Sequence, residues 1–248
     1  MENQRVNVLK DAQDVVVLSR EAFPAEQEGS FIYVAKPSLE TQKILYDLSV
    51  ANPEDVKIPA LQRHWRYDHK KGITGSSTYL ALRFDRLALR PSGLWLPGLL
   101  EGKALETQGK LENGVYMDFG SVLYDNRAGN TELAEHLTAQ SQGRNLPLVF
   151  QFRDLDYTSN SNRDYGLDLE IVQSPKGIIS GEEAQKQIDT LNYKASSGLR
   201  RLYRDWYGYW LALWGNLADS GELGRVDWVC GEVSRAELES AHEGIIER

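Results

Sequence analysis

The chain has 248 residues, 41% of them hydrophobic and 26% charged, a balance that excludes a disordered or low-complexity protein. At this length roughly 70–75% of the unfolded chain's surface is buried on folding, so a core needs neither a disulfide nor a metal. The one cysteine, Cys230, excludes an intramolecular disulfide, and a net charge of −8 disfavours non-specific binding to nucleic acid.

The segment Met1-Glu2-Asn3-Gln4-Arg5-Val6 lacks the apolar core of a signal peptide, and no run approaches the ~20 apolar residues that span a bilayer. With the lone cysteine, these features predict a soluble cytoplasmic protein with no membrane partner. Residues 181–248 carry eight Lys/Arg against twelve Asp/Glu and the remainder twenty against twenty-four, so neither part is a basic module.

Asp14–Ser19 and Phe31–Ala35 are short apolar runs that predict strands. Ser38 predicts a helix cap, with the helix running to about Val50, its face carrying Ile44, Leu45 and Leu48, and Asn52-Pro53 ending it. Thr78–Leu89 alternates, Leu80, Leu82 and Phe84 against Tyr79, Ala81, Arg83 and Asp85, which predicts a half-buried strand broken at Arg90-Pro91-Ser92-Gly93. Asn113-Gly114 between Lys103–Glu112 and Val115–Tyr124 predicts a β-hairpin with a type I′ turn. Asn130 predicts a cap for a helix to about Gln140, and Leu148–Phe152 and Leu167–Val172 predict two further strands.

Beyond Ser174-Pro175 the pattern becomes helical. Ser180-Gly181-Glu182-Glu183 and Ser234-Arg235-Ala236-Glu237 match capping boxes, and Gly198 to about Leu217 predicts a long aromatic helix between them. Strands do not alternate regularly with helices, so the expected class is α+β. The expected organisation is a largely antiparallel, β-rich body with two short helices over 1–178 and a helical C-terminal part over 179–248 packed on it, or one single domain.

Three constellations carry candidate chemistry. The first is acidic: Asp154, Asp156, Asp168 and Glu170 lie on a strand–loop–strand segment, with Asp164 in the loop. If the two strands pair, alternation converges the four carboxylates, the oxygen cluster that Mg²⁺ or Ca²⁺ needs and that metal-assisted phosphoester hydrolysis uses. The same residues equally suit the solvated face of an edge hairpin.

The second is basic and aromatic: Arg63, His64, Trp65, Arg66, Tyr67, His69, Lys70 and Lys71, followed by Gly72. Cations neutralise phosphates and aromatics stack on bases, so this segment is the candidate for phosphate or nucleic-acid contact. The competing reading is a surface loop anchored by Trp65. The third is aromatic: Trp206, Trp210 and Trp214 recur every four residues of the expected helix, with Tyr207 beside them. Such a stripe is core material, and its breadth points to an interface as well.

The triplet Asp118-Phe119-Gly120 stands without the Gly-rich and His-Arg-Asp loops that give it meaning in kinases, and no phosphate-binding loop or nucleophile elbow occurs. No cofactor is implied beyond a divalent metal at the acidic segment. The leading expectation is therefore a non-enzymatic binding or assembly protein acting through protein–protein contacts or self-association. A divalent-metal phosphoesterase and a nucleic-acid or phosphate binder are the alternatives.

Overall fold

Strand β1 (Asp14–Leu18) pairs antiparallel with β2 (Ser30–Lys36), so that the two N-terminal apolar runs begin a sheet. The computed structural model describes residues 8, 11–18, 30–51, 64–125, 148–152, 155–158, 168–171, 198–211, 221–234 and 236–237. Among them the fold is α+β, built from largely antiparallel sheets, in which only β12 (Gly221–Arg225) and β6 (Tyr116–Asp125) pair in parallel, and three α-helices. The helix expected over 130–140 and the one opened at Ser180 lie outside the described residues.

Helix α1 (Leu39–Val50) begins where expected, with the Ser38 hydroxyl accepting from the Thr41 N–H at 3.2 Å. Its buried face is Gln42, Leu45 and Ser49, however, and Ile44 and Leu48 point outward, Ile44 being 46% exposed. A polar residue takes the core position because Gln42 is fully used: it donates to the Pro37 carbonyl and accepts from the Ile73 N–H.

The strand expected over Thr78–Leu89 is instead helix α2 (Thr78–Phe84), followed by a π-turn (Asp85–Leu89) and a 3₁₀ turn (Arg90–Ser92). The buried Ser77 caps α2 by accepting from the Leu80 N–H. Leu80, Ala81, Leu82, Arg83 and Phe84 are all buried, so the helix is enclosed on every side. An enclosed helix shows no amphipathic period, and alternation of its large residues then imitates a strand. Gly93, at φ +69, ends the segment as expected. The buried Asp85 ties it down, accepting from Arg90 Nε and from the Leu96 N–H.

The first arm of the expected Asn113-Gly114 hairpin is also helical: α3 (Leu99–Thr107) leads through a loop into strand β6 (Tyr116–Asp125). Glu101 accepts from the Gly98 N–H and so supplies the cap-side carboxylate without a Ser or Thr at the start. Gly114 has the positive φ the turn signal implies, +83, but its N–H bonds to Trp206 rather than across a hairpin.

Two sheets carry the body. The first has the order β1-β2-β13-β5, with β13 (Val229–Ser234) between β2 and β5 (Leu94–Trp95). The second runs β11-β10-β6-β12-β4-β3 with β7 (Leu148–Gln151) also on β6. Its other strands are β3 (Arg66–Asp68), β4 (Gly72–Ser76), β10 (Gly198–Arg204), β11 (Trp210–Leu211) and β12 (Gly221–Arg225). A separate hairpin joins β8 (Leu155–Thr158) and β9 (Asp168–Ile171). Alternation divides the core between two clusters: Tyr33 and Ala35 of β2 join α1 and α2, while Ile32 and Val34 join α3 and the β6 face of Met117, Phe119 and Leu123.

The helix expected over 198–217 is absent in the described part of that range, where β10 and β11 form an antiparallel hairpin. Six of the seven residues of β10 pair with β6, and that ladder overrides the helical spacing of the tryptophans. Ser234-Arg235-Ala236-Glu237 does close as a capping box, with Ser234 N–H bonded to Glu237 Oε2 at 2.8 Å and Glu237 N–H to Ser234 Oγ at 3.2 Å. The described C-terminal strands β10, β12 and β13 lie within the same sheets as the N-terminal ones.

Candidate functional site

Asp205-Trp206-Tyr207-Gly208-Tyr209 is the turn between β10 and β11. The Gly208 N–H returns to the Asp205 carbonyl at 3.0 Å, and the Asp205 N–H bonds to the Tyr209 carbonyl at 2.9 Å. Gly208 sits at φ +89, which glycine adopts at no steric cost. This is the three-residue hairpin loop that closes a type I turn with one left-handed residue. The Asp205 carboxylate fixes it further by accepting from the N–H groups of both Tyr207 and Tyr209, at 2.9 and 2.8 Å.

With its backbone groups bonded inward, the turn presents aromatic rings to solvent. Tyr207 is 78% exposed, Tyr209 63% and Trp206 42%. Tyr116, at the start of β6 two residues after the Gly114 that bonds to Trp206, and Leu223 on β12 are exposed as well. Large apolar side chains gathered on one exposed turn mark an interaction site more often than isolated exposed residues do.

Arg204 holds the turn from beneath. Nearly buried, it donates through Nη1 to the Glu112 carbonyl and through Nη2 to Asn113 Oδ1, both at 2.8 Å, and its Nε faces Glu106 Oε1 at 3.5 Å. The 112–114 loop so engaged is anchored on the first sheet as well. Lys36, at the end of β2, reaches Glu112 at 2.8 Å and Asp227 at 3.1 Å, and Lys110 reaches Asp14 at 2.9 Å. Burial pushes the Asp227 carboxyl above the ordinary carboxylate range, an effect that Lys36 only partly offsets. Burial opposes the Lys36 ammonium too, but Asp227 and Glu112 outweigh it and hold its pKa above the usual lysine value.

Trp210, expected at an interface, is instead a core anchor, 3% exposed. Its ring stacks on Phe119 with centroids 4.4 Å apart, Lys103 Nζ lies 4.6 Å from its centroid, and its N–H bonds to Glu106 Oε2 at 2.7 Å. Gly102 permits this approach: a Cβ there would meet the Trp210 ring at 2.5 Å. Trp206 and Tyr207 are thus exposed as an interface requires, Trp210 is not, and Trp214 lies outside the described residues.

The basic segment folds as the β3–β4 hairpin; Arg63 lies outside the described residues. Trp65 is buried, donates to Ser49 Oγ, and packs against Tyr46 and Phe84, so its face is unavailable to a base. Tyr67 donates to the Leu39 carbonyl, and His69 lies edge-on to Tyr67. Asp68 accepts from the N–H groups of Lys70 and Lys71, which hold its carboxyl below the ordinary range. Lys70 and Lys71 are exposed at the turn, Arg66 on β3 is exposed, and His64 is half-buried beside Trp65. The structure brings the cations to one hairpin but withdraws the tryptophan.

At the acidic segment the expected strand Leu148–Phe152 pairs with β6 instead, and it is β8 that pairs with β9, in a register that sets Asp156 opposite Glu170 and Thr158 opposite Asp168; Asp154 lies outside the described residues. Among the described residues no group of three or more His, Cys, Asp or Glu is placed to hold a metal. No helix among them is long and apolar enough to cross a membrane.

Tyr209 belongs to the aromatic stretch expected as a helix but is not among the site residues expected from sequence, and neither are Tyr116 and Leu223. A signal for the turn exists nonetheless: Asp205 and Gly208 occupy the first and fourth positions that a type I turn favours. No family model, curated protein or solved structure matches the chain.

Proposed function

We propose that the chain is a binding protein that engages a protein partner through the aromatic turn Trp206–Tyr209. The observation that supports this reading is the exposure of three large aromatic side chains on a turn whose backbone is held by the Asp205 carboxylate and by the Gly114 N–H. Rigid tyrosine and tryptophan side chains give large contact area at small entropic cost, which is why they dominate interface hot spots. The preformed turn lowers the ordering cost of association further. Cys230, the one cysteine of the chain, is buried, which suits a reducing, cytoplasmic setting.

A photo-crosslinking amino acid in place of Tyr209, with a second preparation carrying it at exposed Glu40 on α1, tests the reading. The expected result is one discrete protein adduct at position 209, identified by mass spectrometry, that is lost in Trp206→Ala/Tyr207→Ala. Equal adduct patterns at positions 209 and 40 overturn it.

A further inference from the structure

The rings of the turn do not stand alone; the charges around them are sorted. Asp205 opens the turn, Glu112 precedes the Asn113-Gly114 pair that touches it and has a side chain 58% exposed, and Glu222 is exposed beside Leu223. The cations of the same region face inward. Arg204 is spent on Glu106, the Glu112 carbonyl and Asn113, and Lys36 on Asp227 and Glu112. Lys103 lies between the Trp210 ring and Glu106, and Arg225 donates to the Gly224 carbonyl at 2.8 Å. Asp205 is engaged by the turn amides and Glu112 shares Lys36, but the Glu112 side chain stays more than half exposed and Glu222 is exposed. Exposed rings with these two carboxylates outward, and the cations named above engaged within the molecule, are complementary to positive charge.

From this sorting we infer that the partner presents lysine or arginine side chains, which lie over the faces of Tyr207, Tyr209 and Trp206 while the exposed Glu112 and Glu222 supply the opposite charge. The inference rests on the proposed binding role of the turn and names the chemistry of what it binds. Aromatic faces attract cations through their ring quadrupole, and the contact strengthens as water is excluded. Lys103 over Trp210 shows the same pairing within the molecule. A net charge of −8 adds a long-range attraction for a basic segment and repels nucleic acid.

The test uses the full chain and three labelled peptides of equal length: one bearing alternating Lys/Arg and Leu, one with Gln at each basic position, and one with Glu there. The variant Tyr207→Leu/Tyr209→Leu keeps the apolar area and removes the rings. Circular dichroism and a thermal melt establish that it remains folded. The basic peptide is expected to bind saturably and to weaken as salt is raised to about 0.3 M. It is also expected to lose about 10-fold in affinity against the Leu variant, the size of a partly desolvated cation–π contact. The Gln and Glu peptides are expected not to saturate below about 1 mM.

Equal binding of the Gln peptide, unchanged binding to the Leu variant, or no saturation by the basic peptide each overturns the inference, as does an oligonucleotide that binds the turn as tightly. If the photo-crosslink at position 209 captures a partner whose adduct peptide lacks Lys and Arg, the binding role stands and this inference falls. If no specific adduct forms, both fall.

Discussion

Gly208 and Arg204 occupy space that only one of them can fill: a Cβ on Gly208 would come within 2.8 Å of Arg204 Nη2. The glycine supplies the left-handed residue of the hairpin turn, and its missing side chain is where the guanidinium lies. Gly208→Ala therefore carries two penalties, a positive φ for a residue with a Cβ and displacement of a guanidinium bonded to Glu112 and Asn113. The conformational part alone costs about 1–2 kcal/mol. Thermal unfolding is expected to show a lower Tm, and hydrogen exchange at the Gly114 amide, which bonds to Trp206, is expected to accelerate.

The two tryptophans that share a hairpin make opposite predictions. Trp210→Ala removes a ring stacked on Phe119 and leaves a void beside Gly102, a loss of about 3–5 kcal/mol. Trp206→Ala removes a ring already 42% exposed and is expected to change stability by about 1 kcal/mol or less. Chemical denaturation of both variants measures the difference. Similar losses for the two would remove the distinction between anchor and contact residue.

Gln42 and Gly72 form a second interlocked pair. Gly72, at φ +75, leads into Ile73, whose N–H bonds to Gln42 Oε1, and a Cβ on Gly72 would collide with that same oxygen. Gln42→Ala orphans the Ile73 N–H and the Pro37 carbonyl, at about 1–3 kcal/mol for each group left unpaired. Gly72→Ala adds clash to strain. The double variant is expected to be less destabilised than the two single losses summed, because without the Gln42 amide the new methyl has room. A double-mutant cycle with no coupling would contradict this.

Asp227 and Lys36 give stability a pH dependence of opposite reach. The Asp227 carboxyl titrates above its unfolded value because it is buried, so its favourable contribution is complete below the ordinary carboxylate pKa and is lost as pH rises through the folded value. Asp227→Asn cannot ionise, so its stability relative to the native protein is expected to improve from pH 3 towards neutrality. Lys36 also titrates above its unfolded value, so its contribution is complete below the ordinary lysine pKa and is lost as pH rises through the folded value. Asp227→Asn removes the larger of the two attractions on Lys36, and the stability lost at alkaline pH is expected to be smaller in that variant. Urea titrations at a series of pH values read both effects.

The features legible in the sequence are those written within a few residues. Ser38 and Ser234 announce their helix starts because a cap bonds three residues ahead, the β1, β2 and β7 runs are short and largely apolar, and β9 alternates acidic and apolar residues. Gly93 and Gly114 take the positive φ their turn signals imply. What stayed hidden depends on distant partners. The 198–211 segment has helical spacing, yet β10 pairs with a strand about eighty residues earlier. Helix α2 lost its amphipathic signature because the core surrounds it. At the candidate site, Trp206 and Tyr207 were legible as aromatic but not as turn residues, and the exposure of Tyr209 follows only once Asp205 and Gly208 are read as a turn.

The place of β13 bears on the order of assembly. Among the described residues, Leu94–Trp95 reaches the first sheet only by pairing with β13, and β13 alone joins that short strand to β2. As the chain is synthesised, residues 14–95 emerge with an unpaired β2 edge that stays open until residue 234 has been made. A growing chain with such an edge is exposed to mispairing for most of its synthesis, so a factor that shields nascent β-strands is expected to raise the yield of folded protein.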